Sequence, residues 1–409
     1  MKVGVVGSGG REHALAWKLA QSPRLTELHA APGNPGIAAL GQCHPVRPDD
    51  AEGLLALARS LELDLVVIGP EGPLVAGVAD ALRVGGVAVF GPSAAAARIE
   101  GSKRFAKDVL EAAGVSAAEP LAVARPPCVV KADGLAAGKG VFVCRTREEL
   151  DAALVSVAAL GDDFVVEQLL EGEEVSLFAI CDGTRALALP PAQDAKRAYD
   201  ADKGPNTGGM GAYSPVPVAG LDAQELAEQI HEPVLAELAQ RDAPFVGLLY
   251  AGVMLTADGP RVLEFNCRFG DPETQAILPR VEGDFLGALA AAAAGDLADV
   301  TLGVADDAAV TVVVAAGAYP AAGDTGSTIL GLDEAASDGV LLFHAATALR
   351  EGRVVTNGGR VLNVTATGPS LAEARGRAYG AANVVGFEGS RFRRDIAAAA
   401  AAKEARVHG

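Results

Sequence analysis

The first hundred residues alternate between short apolar runs and helical patterns, and this alternation restricts the fold more than any other feature of the chain. The apolar runs cover residues 3–6, 65–68 and 87–90, and helical patterns such as residues 13–21 and 54–61 separate them. Parallel strands need a crossover connection, so strands that alternate with helices form a parallel sheet with helices on its faces. The sequence therefore predicts an α/β fold that begins with such a sheet.

The middle of the chain is predicted to contain more strand than helix. Ser93 is a suitable N-cap for a helix over residues 94–100, where the first unit ends. Strands dominate residues 128–190, apart from one helix near residues 147–160. A further helix over residues 222–240 leads into a strand hairpin.

A third unit is predicted at the end of the chain. An Ala-rich helix covers residues 284–294, and the third unit begins near Ala308 with a valine-rich run. In this unit, Asn357-Gly358 is predicted to form a hairpin turn and residues 371–382 a helix. The predicted domains are residues 1–98, 99–300 and 301–409.

Composition excludes several classes of protein. With 409 residues, of which 50% are hydrophobic, the chain has ample material for the cores of several domains. Its net charge of −18 argues against non-specific binding to nucleic acid or to a membrane. Five scattered cysteines without CxxC spacing argue against disulfides and zinc. No apolar run reaches membrane length and no signal peptide precedes the first strand, so a soluble cytoplasmic protein is expected.

Residues 263–273 read LEFNCRFGDPE and place two oxygen ligands, Glu264 and Asn266, two positions apart. The Asp-Gly pair in the turn at residues 257–260 predicts a hairpin with both ligands on its returning strand. Side chains at i and i+2 share one strand face. A carboxylate and an amide oxygen, followed by Arg268, suit a Mg²⁺ ion that carries nucleotide phosphates, because Mg²⁺ takes only one or two ligands from protein. A solvated polar strand face is the alternative, which the neighbouring charged residues weaken.

A glycine loop connects the first strand to the first helix in the segment VGVVGSGGREHA. Backbone N–H groups at such a helix N-terminus bind phosphate, and Arg11 adds a charge beside Gly9 and Gly10. A dinucleotide fingerprint would need glycine where Glu12 stands and an acidic residue after the second strand, so a nicotinamide cofactor is disfavoured. A small phosphorylated substrate fits better, and a tight turn needed only for packing is the alternative.

The segment VVKADGLAAGKG also suggests an anion site. It is not a Walker A loop, because three residues separate Gly134 from Gly138 and Gly140 follows Lys139. Lys131 closes a strand beside glycine-rich backbone, which indicates an anion nearby. The alternative is an exposed hairpin with solvated lysines.

The segment VVEQLLEGEEVS predicts a strand that leads through acidic residues into a second strand. An adenine needs backbone N–H and C=O groups along one edge, which residues 167–170 would supply. Glu174 would then hold the ribose hydroxyls. An EGEE stretch is also typical of a solvated turn, so this segment alone leaves both interpretations open.

Taken in order, these segments resemble those of the ATP-grasp ligases, and most closely the phosphoribosylamine–glycine ligase (glycinamide ribonucleotide synthetase) family. The resemblance covers nearly the whole chain and is carried by GSGGREHALAWKLAQSP, APGNPG, IGPEGPLVAGVAD, GPSAAAARIEGSK, KADGLAAGKGV, QDAKRAYDADKGPNTGGMGAYSP, LYAGVM, LEFNCRFGDPETQ and VTNGGRVLNVTA. It implies an N-terminal parallel-sheet pre-ATP-grasp domain, an ATP-grasp domain and a small C-terminal α/β domain. The implied fold class is α/β, and in part α+β.

The resemblance also implies which residues contact each ligand. Glu264 and Asn266 are expected to bind Mg²⁺ or Mn²⁺. Charge neutralisation during catalysis is assigned to Arg268, Lys131 and Lys139. The residues expected to hold ATP are Lys103, Lys131, Gly134, Gly138, Lys139, Glu167, Leu170 and Glu174. The residues expected to hold glycine and 5-phosphoribosylamine are Gly9, Gly10, Arg11, Glu12, Glu71, Asp194, Lys196, Arg197, Asn206, Thr207, Gly209, Arg268 and Asp271.

The implied reaction joins glycine to 5-phosphoribosylamine with ATP, by way of glycyl phosphate, in purine biosynthesis. Its products are glycinamide ribonucleotide, ADP and phosphate, and it needs no enzyme nucleophile. Transient contact with the enzyme that makes phosphoribosylamine is left open. The alternatives are another ATP-grasp ligase that acts on a related ribonucleotide, an NAD-dependent oxidoreductase, and a nucleotide-binding regulator without activity.

Two segments are shorter than is usual in that family. Residues 122–128 lack a helix, and residues 161–163 stand where relatives carry a longer loop over the nucleotide. Three residues span at most about 10 Å. The loop over residues 134–140 is therefore expected to close the site, with Lys139 supplying charge.

Overall fold

The computed structural model describes residues 1–135, 140–161, 163–336 and 339–408. The elements of the first hundred residues are β1 (Lys2–Gly7), α1 (Gly10–Leu19), β2 (Glu27–Pro32), α2 (Pro35–Ala38), β3 (Gln42–Cys43), α3 (Ala51–Leu61), β4 (Leu65–Ile68), α4 (Glu71–Val75), α5 (Val78–Val84), β5 (Val89–Phe90) and α6 (Ala94–Gly101). The strands form the predicted parallel sheet in the order β3-β2-β1-β4-β5. β4 is buried along its whole length, which explains its uninterrupted apolar sequence.

A small sheet with a core of its own follows. Its elements are α7 (Lys103–Ala112), β6 (Cys128–Ala132), β7 (Val141–Cys144), α8 (Arg147–Ala158) and β8 (Phe164–Gln168). The strands are antiparallel in the order β7-β6-β8. Apolar side chains of β6 and α8, among them Val130, Leu150 and Val157, pack together beneath this sheet. We call the unit formed by β6 to β8 with α8 the lid.

The central part of the chain contributes a second antiparallel sheet. Its elements are β9 (Glu173–Asp182), β10 (Ala186–Ala188), β11 (Gln193–Asp194), β12 (Arg197–Tyr199), β13 (Lys203–Asn206), β14 (Gly211–Ser214), α9 (Ala223–Leu226), a π-helical turn (Ala227–His231), α10 (Glu232–Gln240), β15 (Val246–Thr256), β16 (Gly259–Asn266), α11 (Glu273–Ile277), a 3₁₀ turn (Leu278–Arg280), β17 (Val281–Glu282) and α12 (Phe285–Ala294). Strands β10, β9, β15 and β16 lie side by side in that order. The helix predicted over residues 222–240 is confirmed, with the π-helical turn inside it.

The hairpin that carries Glu264 and Asn266 is formed by β15 and β16, as predicted. Thr256 pairs with Gly259, so Ala257 and Asp258 are the two turn residues. The register shifts between Gly252 and Val253, which adds one residue to the facing strand just before Glu264. This β-bulge bends β16 and changes the direction of its last residues, Glu264 to Asn266.

The last part of the chain forms a sheet that also contains strands from the middle of the chain. Its elements are β18 (Gly303–Val304), β19 (Ala308–Ala315), β20 (Asp324–Thr328), α13 (Leu332–Ala335), β21 (Val340–His344), β22 (Thr347–Arg350), β23 (Arg353–Gly358), β24 (Arg360–Gly368), α14 (Leu371–Ala382) and α15 (Ala398–His408). The strand order is β11-β14-β19-β24-β21. β11 and β14 therefore extend a sheet whose other strands lie about a hundred residues further along the chain. In the described residues, no helix is both long and apolar enough to cross a membrane.

The prediction of a hairpin turn at Asn357-Gly358 is wrong. Asn357 pairs with Thr325 and Gly358 with Asp324, inside the small sheet β20-β23-β22. The chain then crosses into the C-terminal sheet at Arg360, whose strand pairs with β19 and β21 and not with β23. An Asn-Gly pair permits a tight turn, but here tertiary pairing with β20 decides the backbone path.

The C-terminal sheet packs against the first helix. Asn34 Nδ2 donates to His344 O at 2.8 Å, and His344 N donates to His13 Nδ1 at 2.8 Å. The rings of His13 and Phe343 meet edge to face at a centroid distance of 5.5 Å. Burial, and then the neighbouring His344, lowers the pKa of His13 to about 3, so this junction is neutral.

At Gly10 the glycine loop packs closely against neighbouring side chains. A Cβ atom there would overlap Asn363 Nδ2 and come within 2.8 Å of Gln275 Nε2. Both amide side chains are buried, at 1% and 0% exposure, so neither can move aside freely. Glycine at position 10 is therefore required for packing, independently of any ligand.

We predict that Gly10→Ala lowers the stability of the protein by about 1–3 kcal/mol, the usual cost of overpacking a core. Gly376→Ala is the control, because Gly376 lies inside α14 with open space where its Cβ would be. Alanine there favours the helix by about 0.5–1 kcal/mol. Thermal unfolding midpoints measure both variants. Equal midpoints for Gly10→Ala and the parent chain would contradict the packing argument.

Candidate active site

Glu264 is the carboxylate on which the predicted cationic residues converge. Lys103, the first residue of α7, places its Nζ 3.1 Å from Glu264 Oε2. Lys103 lowers the pKa of Glu264 to about 2, with further contributions from Lys131 and Lys196 that together outweigh burial. Three lysines predicted for ATP or substrate are thus brought to one ionised carboxylate.

The residues on β16 fit a divalent metal ion. Asn266 follows Glu264 by two positions, so both side chains lie on one strand face beyond the β-bulge. Across the described ranges, no cluster of three or more His, Cys, Asp or Glu side chains could hold a metal. Two oxygen ligands leave most coordination positions to phosphate and water, the arrangement that Mg²⁺ favours.

Lys131 and Glu167 join the lid to β16. Lys131 Nζ lies 2.7 Å from Glu167 Oε2 and donates to Leu263 O at 2.7 Å. Lys107 holds the other oxygen, with Nζ 3.0 Å from Glu167 Oε1. Burial lowers the pKa of Lys107 although Glu167 raises it. The buried carboxylate of Glu167 therefore lies in ion-pair contact with the buried Lys131 and the partly buried Lys107.

The segment between β8 and β9 crosses from the lid to the central sheet. Glu167 lies on β8, and Leu170 lies in the crossing segment with 9% exposure. Glu174, predicted to hold the ribose, lies at the start of β9 and accepts from Lys196 Nζ at 2.7 Å. Gly134 begins the predicted closing loop in a left-handed conformation, with φ of +112°. Gly138 and Lys139, predicted to contact ATP, lie outside the described residues.

A second group of paired charges joins Arg268, which follows β16, to two helices of the first unit. Arg268 Nε lies 3.1 Å from Glu71 Oε2, and its Nη2 lies 3.5 Å from Glu100 Oε1. Burial raises the pKa of Glu71, but Arg268 and Arg11 outweigh it and lower the pKa to about 2. The pKa of Arg268 is raised, because Glu100 and Glu71 outweigh its burial.

The glycine loop contributes an ion pair as well as backbone. Arg11 Nε lies 2.5 Å from Glu12 Oε1, and both residues are buried. The other oxygen of Glu12 accepts from Gly9 N at 2.6 Å. Arg11 and Arg268 both donate to Phe269 O, at 3.1 and 3.2 Å. The loop and Arg268 are therefore held against each other.

Asp271 connects this charge cluster to the C-terminal sheet. Arg360 Nη2 donates to Asp271 Oδ2 at 2.9 Å, and Gln275 Nε2 donates to Asp271 Oδ1 at 2.8 Å. Arg360 Nη1 also donates to Gly208 O at 2.6 Å. Burial acts to raise the pKa of Asp271, but Arg360 and Arg11 outweigh burial, so the pKa lies below its ordinary value.

The remaining predicted substrate residues lie on one hairpin, which we define as residues 194–209 and call the substrate hairpin. Lys196 Nζ lies 2.7 Å from Asp194 Oδ1, and Thr207 Oγ1 donates to Lys196 O at 2.8 Å. Gly209 N donates to Thr207 Oγ1 at 3.0 Å. Arg197 Nη1 donates to Asn206 Oδ1 at 3.2 Å, and Asn206 Nδ2 donates to Val141 O of the lid at 3.1 Å.

Several residues of the site were not predicted. Glu273 lies in the quoted GDPETQ motif, and Arg360 lies in VTNGGRVLNVTA, so both motifs contained a signal. Glu100 and Lys107 lie on helices at positions that the sequence does not distinguish from surface charge. The contacts of Glu100 with Arg268 and of Lys107 with Glu167 become visible only in the folded chain.

Family models match the chain along most of its length. The phosphoribosylglycinamide synthetase N domain matches residues 1–100, its ATP-grasp (A) domain residues 101–274, and its C domain residues 309–399.

Relatives and solved structures agree with this match. The phosphoribosylamine–glycine ligase of Mesorhizobium japonicum is 49% identical over 99% of both chains, and that of Streptomyces coelicolor is 51% identical over 98% of this chain and 100% of its own. The crystal structure of the Thermotoga maritima phosphoribosylamine–glycine ligase covers 97% of this chain, with a TM-score of 0.83 and 34% identity. The biotin carboxylase domain of Hydrogenobacter thermophilus 2-oxoglutarate carboxylase, with a TM-score of 0.69 and 16% identity, shares the fold alone. The chain belongs to the phosphoribosylglycinamide synthetase (phosphoribosylamine–glycine ligase) family, and its central part has the ATP-grasp fold.

Proposed function

We propose that this protein ligates glycine to 5-phosphoribosylamine at the expense of ATP and gives glycinamide ribonucleotide, ADP and phosphate by way of glycyl phosphate. The observation that carries the proposal is the group of lysines around Glu264, where Lys103 makes an ion pair and Lys131 and Lys196 lie close enough to lower the pKa of the carboxyl group. The pairing of Arg268 with Glu71 adds to it. Relatives that bear the name of this activity are about half identical over nearly the whole chain. The division into residues 1–98, 99–300 and 301–409 is part of the proposal and is supported by the ranges of the family models.

Two groups of side chains would neutralise the negative charge of the ATP phosphates. Glu264 and Asn266 would hold Mg²⁺ or Mn²⁺, which when bound supplies charge for the phosphate oxygens of ATP. Lys103 and Lys131 lie where they can add positive charge to the same phosphates. Lys139, although outside the described residues, belongs to the same proposal.

The second part of the site would hold the two acceptor substrates. Arg268 offers a guanidinium for the glycine carboxylate, and the loop at Gly9 to Glu12 with Asp271 offers polar groups to the phosphoribosylamine. No enzyme nucleophile is required, so positioning and preorganised charge would supply the catalysis. The lid would exclude water from the reactive acyl phosphate.

A coupled assay for ADP release tests the proposal. Release of ADP should require glycine and phosphoribosylamine together, with one glycinamide ribonucleotide formed per ADP. Release that is independent of phosphoribosylamine, or a product from another ribonucleotide, would assign the chain a different acceptor.

We predict that Glu264→Gln lowers turnover by at least about a hundredfold, the scale of losing one strong electrostatic contact at developing charge. Asp258→Asn is the matched control, because Asp258 is exposed in the turn of the same hairpin. Turnover is measured across a magnesium titration, and the thermal midpoint of each variant checks that Lys103 without its partner does not unfold the site. Near-normal turnover of Glu264→Gln at any magnesium concentration would refute the metal assignment.

Glu273 is a buried carboxyl group whose ionisation opposes folding. It is 6% exposed, and Ser176 Oγ donates to its Oε1 at 3.5 Å. Burial, and then the neighbouring Asp194, raises the pKa of Glu273 from 4.5 to about 7. Between these two values the folded protein binds more protons than the unfolded chain, so stability falls as the pH rises.

We predict that Glu273→Gln stabilises the protein relative to the parent chain at pH 8, and that this advantage shrinks as the pH falls to 5. The amide keeps the size of the side chain and removes the buried charge. Thermal midpoints of both proteins at pH 5, 6, 7 and 8 measure the difference. A difference that stays constant over this range would show that Glu273 does not titrate there.

A further inference from the structure

The turn of the substrate hairpin is strained and needs support from outside the hairpin. Ala201 and Asp202, between β12 and β13, have φ of 56° and 51°, in the left-handed region that favours glycine. Such residues cost on the order of 1 kcal/mol or more each, and they persist where the surroundings determine the backbone. The pairing of Arg197 with Asn206 and of Tyr199 with Lys203 is too short to do this alone.

Residues 391–395, which we call the C-terminal arm, supply that support. The arm is anchored in the C-terminal sheet, where Arg391 N donates to Ala315 O at 2.9 Å and Ala315 N donates to Arg391 O at 2.8 Å. From this anchor, Asp395 Oδ2 accepts from Ala201 N at 2.8 Å. Arg394 N donates to Asp200 Oδ1 at 2.7 Å. The strained turn is therefore hydrogen-bonded to the arm at two consecutive residues, Asp200 and Ala201.

Two arginines of the arm hold the strand β12. Arg391 Nη1 donates to Ala198 O at 2.6 Å, and its guanidinium lies 4.9 Å from the centre of the Tyr199 ring. Arg393 Nη1 donates to Arg197 O at 3.1 Å and to Asp202 Oδ1 at 2.8 Å. Both arginines thus bind the backbone of the strand that carries predicted substrate residues.

The side chain of Arg393 is held in place by burial and by hydrogen bonds. It is 4% exposed, and its Nε and Nη2 make two hydrogen bonds of 2.8 Å to the carboxylate of Asp395. Asp395 and Asp202 raise the pKa of Arg393 against its burial. A buried guanidinium with two carboxylates and one carbonyl leaves little freedom of position.

The arm is connected to the base of the hairpin through Tyr319. Arg391 Nη2 donates to Tyr319 O, and the Tyr319 hydroxyl accepts from Gly208 N at 3.0 Å. Gly208 lies between Thr207 and Gly209, at the base of the hairpin. The arm therefore contacts the tip and one strand of the hairpin directly, and its base through Tyr319.

We propose that the C-terminal arm is a positioning element for the substrate hairpin, and that Arg393 is its principal positioning residue. Arg393 touches no substrate in this assignment; it sets the backbone of Arg197 and, through the hairpin, the place of Lys196 and Asn206. This inference rests on the proposed function only where it assigns glycine or phosphoribosylamine to the hairpin.

Arg393→Met tests the proposal, because methionine fills the site without donors. Hydrogen exchange of the backbone amides of residues 196–207 is measured without any substrate, and we expect it to quicken by about tenfold or more, as for loss of a charged hydrogen bond. The KM for glycine or for phosphoribosylamine should rise by a similar factor, while the KM for ATP changes less than about twofold. Arg377→Met is the control, since Arg377 is exposed on α14, where it donates to Thr367 O at 2.9 Å.

Asp202→Asn is the milder variant if Arg393→Met fails to fold. Asn tolerates the left-handed backbone, and the side chain of Asp202 is 76% exposed. The same pattern with a smaller factor is expected. Unchanged exchange, or faster exchange with no rise in either acceptor KM, would overturn the proposal. A parent enzyme without glycine-dependent and phosphoribosylamine-dependent ADP release would instead overturn the proposed function, and the substrate-free exchange data would still decide whether the arm holds the hairpin.

Discussion

Pairing of buried charge is the constraint on which this site depends. An ionised side chain that leaves water must meet opposite charge and hydrogen-bond donors, or the fold loses several kcal/mol. Glu167 meets this requirement between Lys107 and Lys131, which ties α7 to the lid. Arg268 meets it between Glu71 and Glu100, which ties the segment after β16 to helices α4 and α6. These parts of the chain therefore join where their charges are paired.

The C-terminal sheet has a larger role than its position in the sequence suggests. Its strands β11 and β14 come from the central part of the chain and flank the substrate hairpin. Arg360 of β24 reaches Asp271 and Gly208, and the C-terminal arm holds the tip of the hairpin. The last quarter of the chain thus contacts the hairpin that we propose for the acceptor substrates, while the residues proposed for the nucleotide lie on the lid and the central sheet.

Crowding at Gly10 shows how one residue serves two requirements. Its lack of a side chain lets Asn363 and Gln275 approach the glycine loop. The same loop carries the Arg11–Glu12 pair toward Arg268. A glycine-rich loop in a sequence usually suggests a phosphate-binding site. Close packing between domains requires glycine for the same physical reason, the absence of a side chain.

Local patterns determined much of this protein from the sequence alone. The alternation of apolar runs fixed the parallel sheet, the Ser93 cap fixed the start of α6, and the hairpin placed Glu264 beside Asn266, because each depends on neighbours a few residues apart. Tertiary structure alone decided that Asn357-Gly358 lies in a strand, that Lys103 pairs with Glu264, and that Arg393 holds a hairpin almost two hundred residues away. Those contacts join segments distant in sequence, where no periodicity or turn propensity carries information, and only the packing of sheets and the pairing of buried charges selects them.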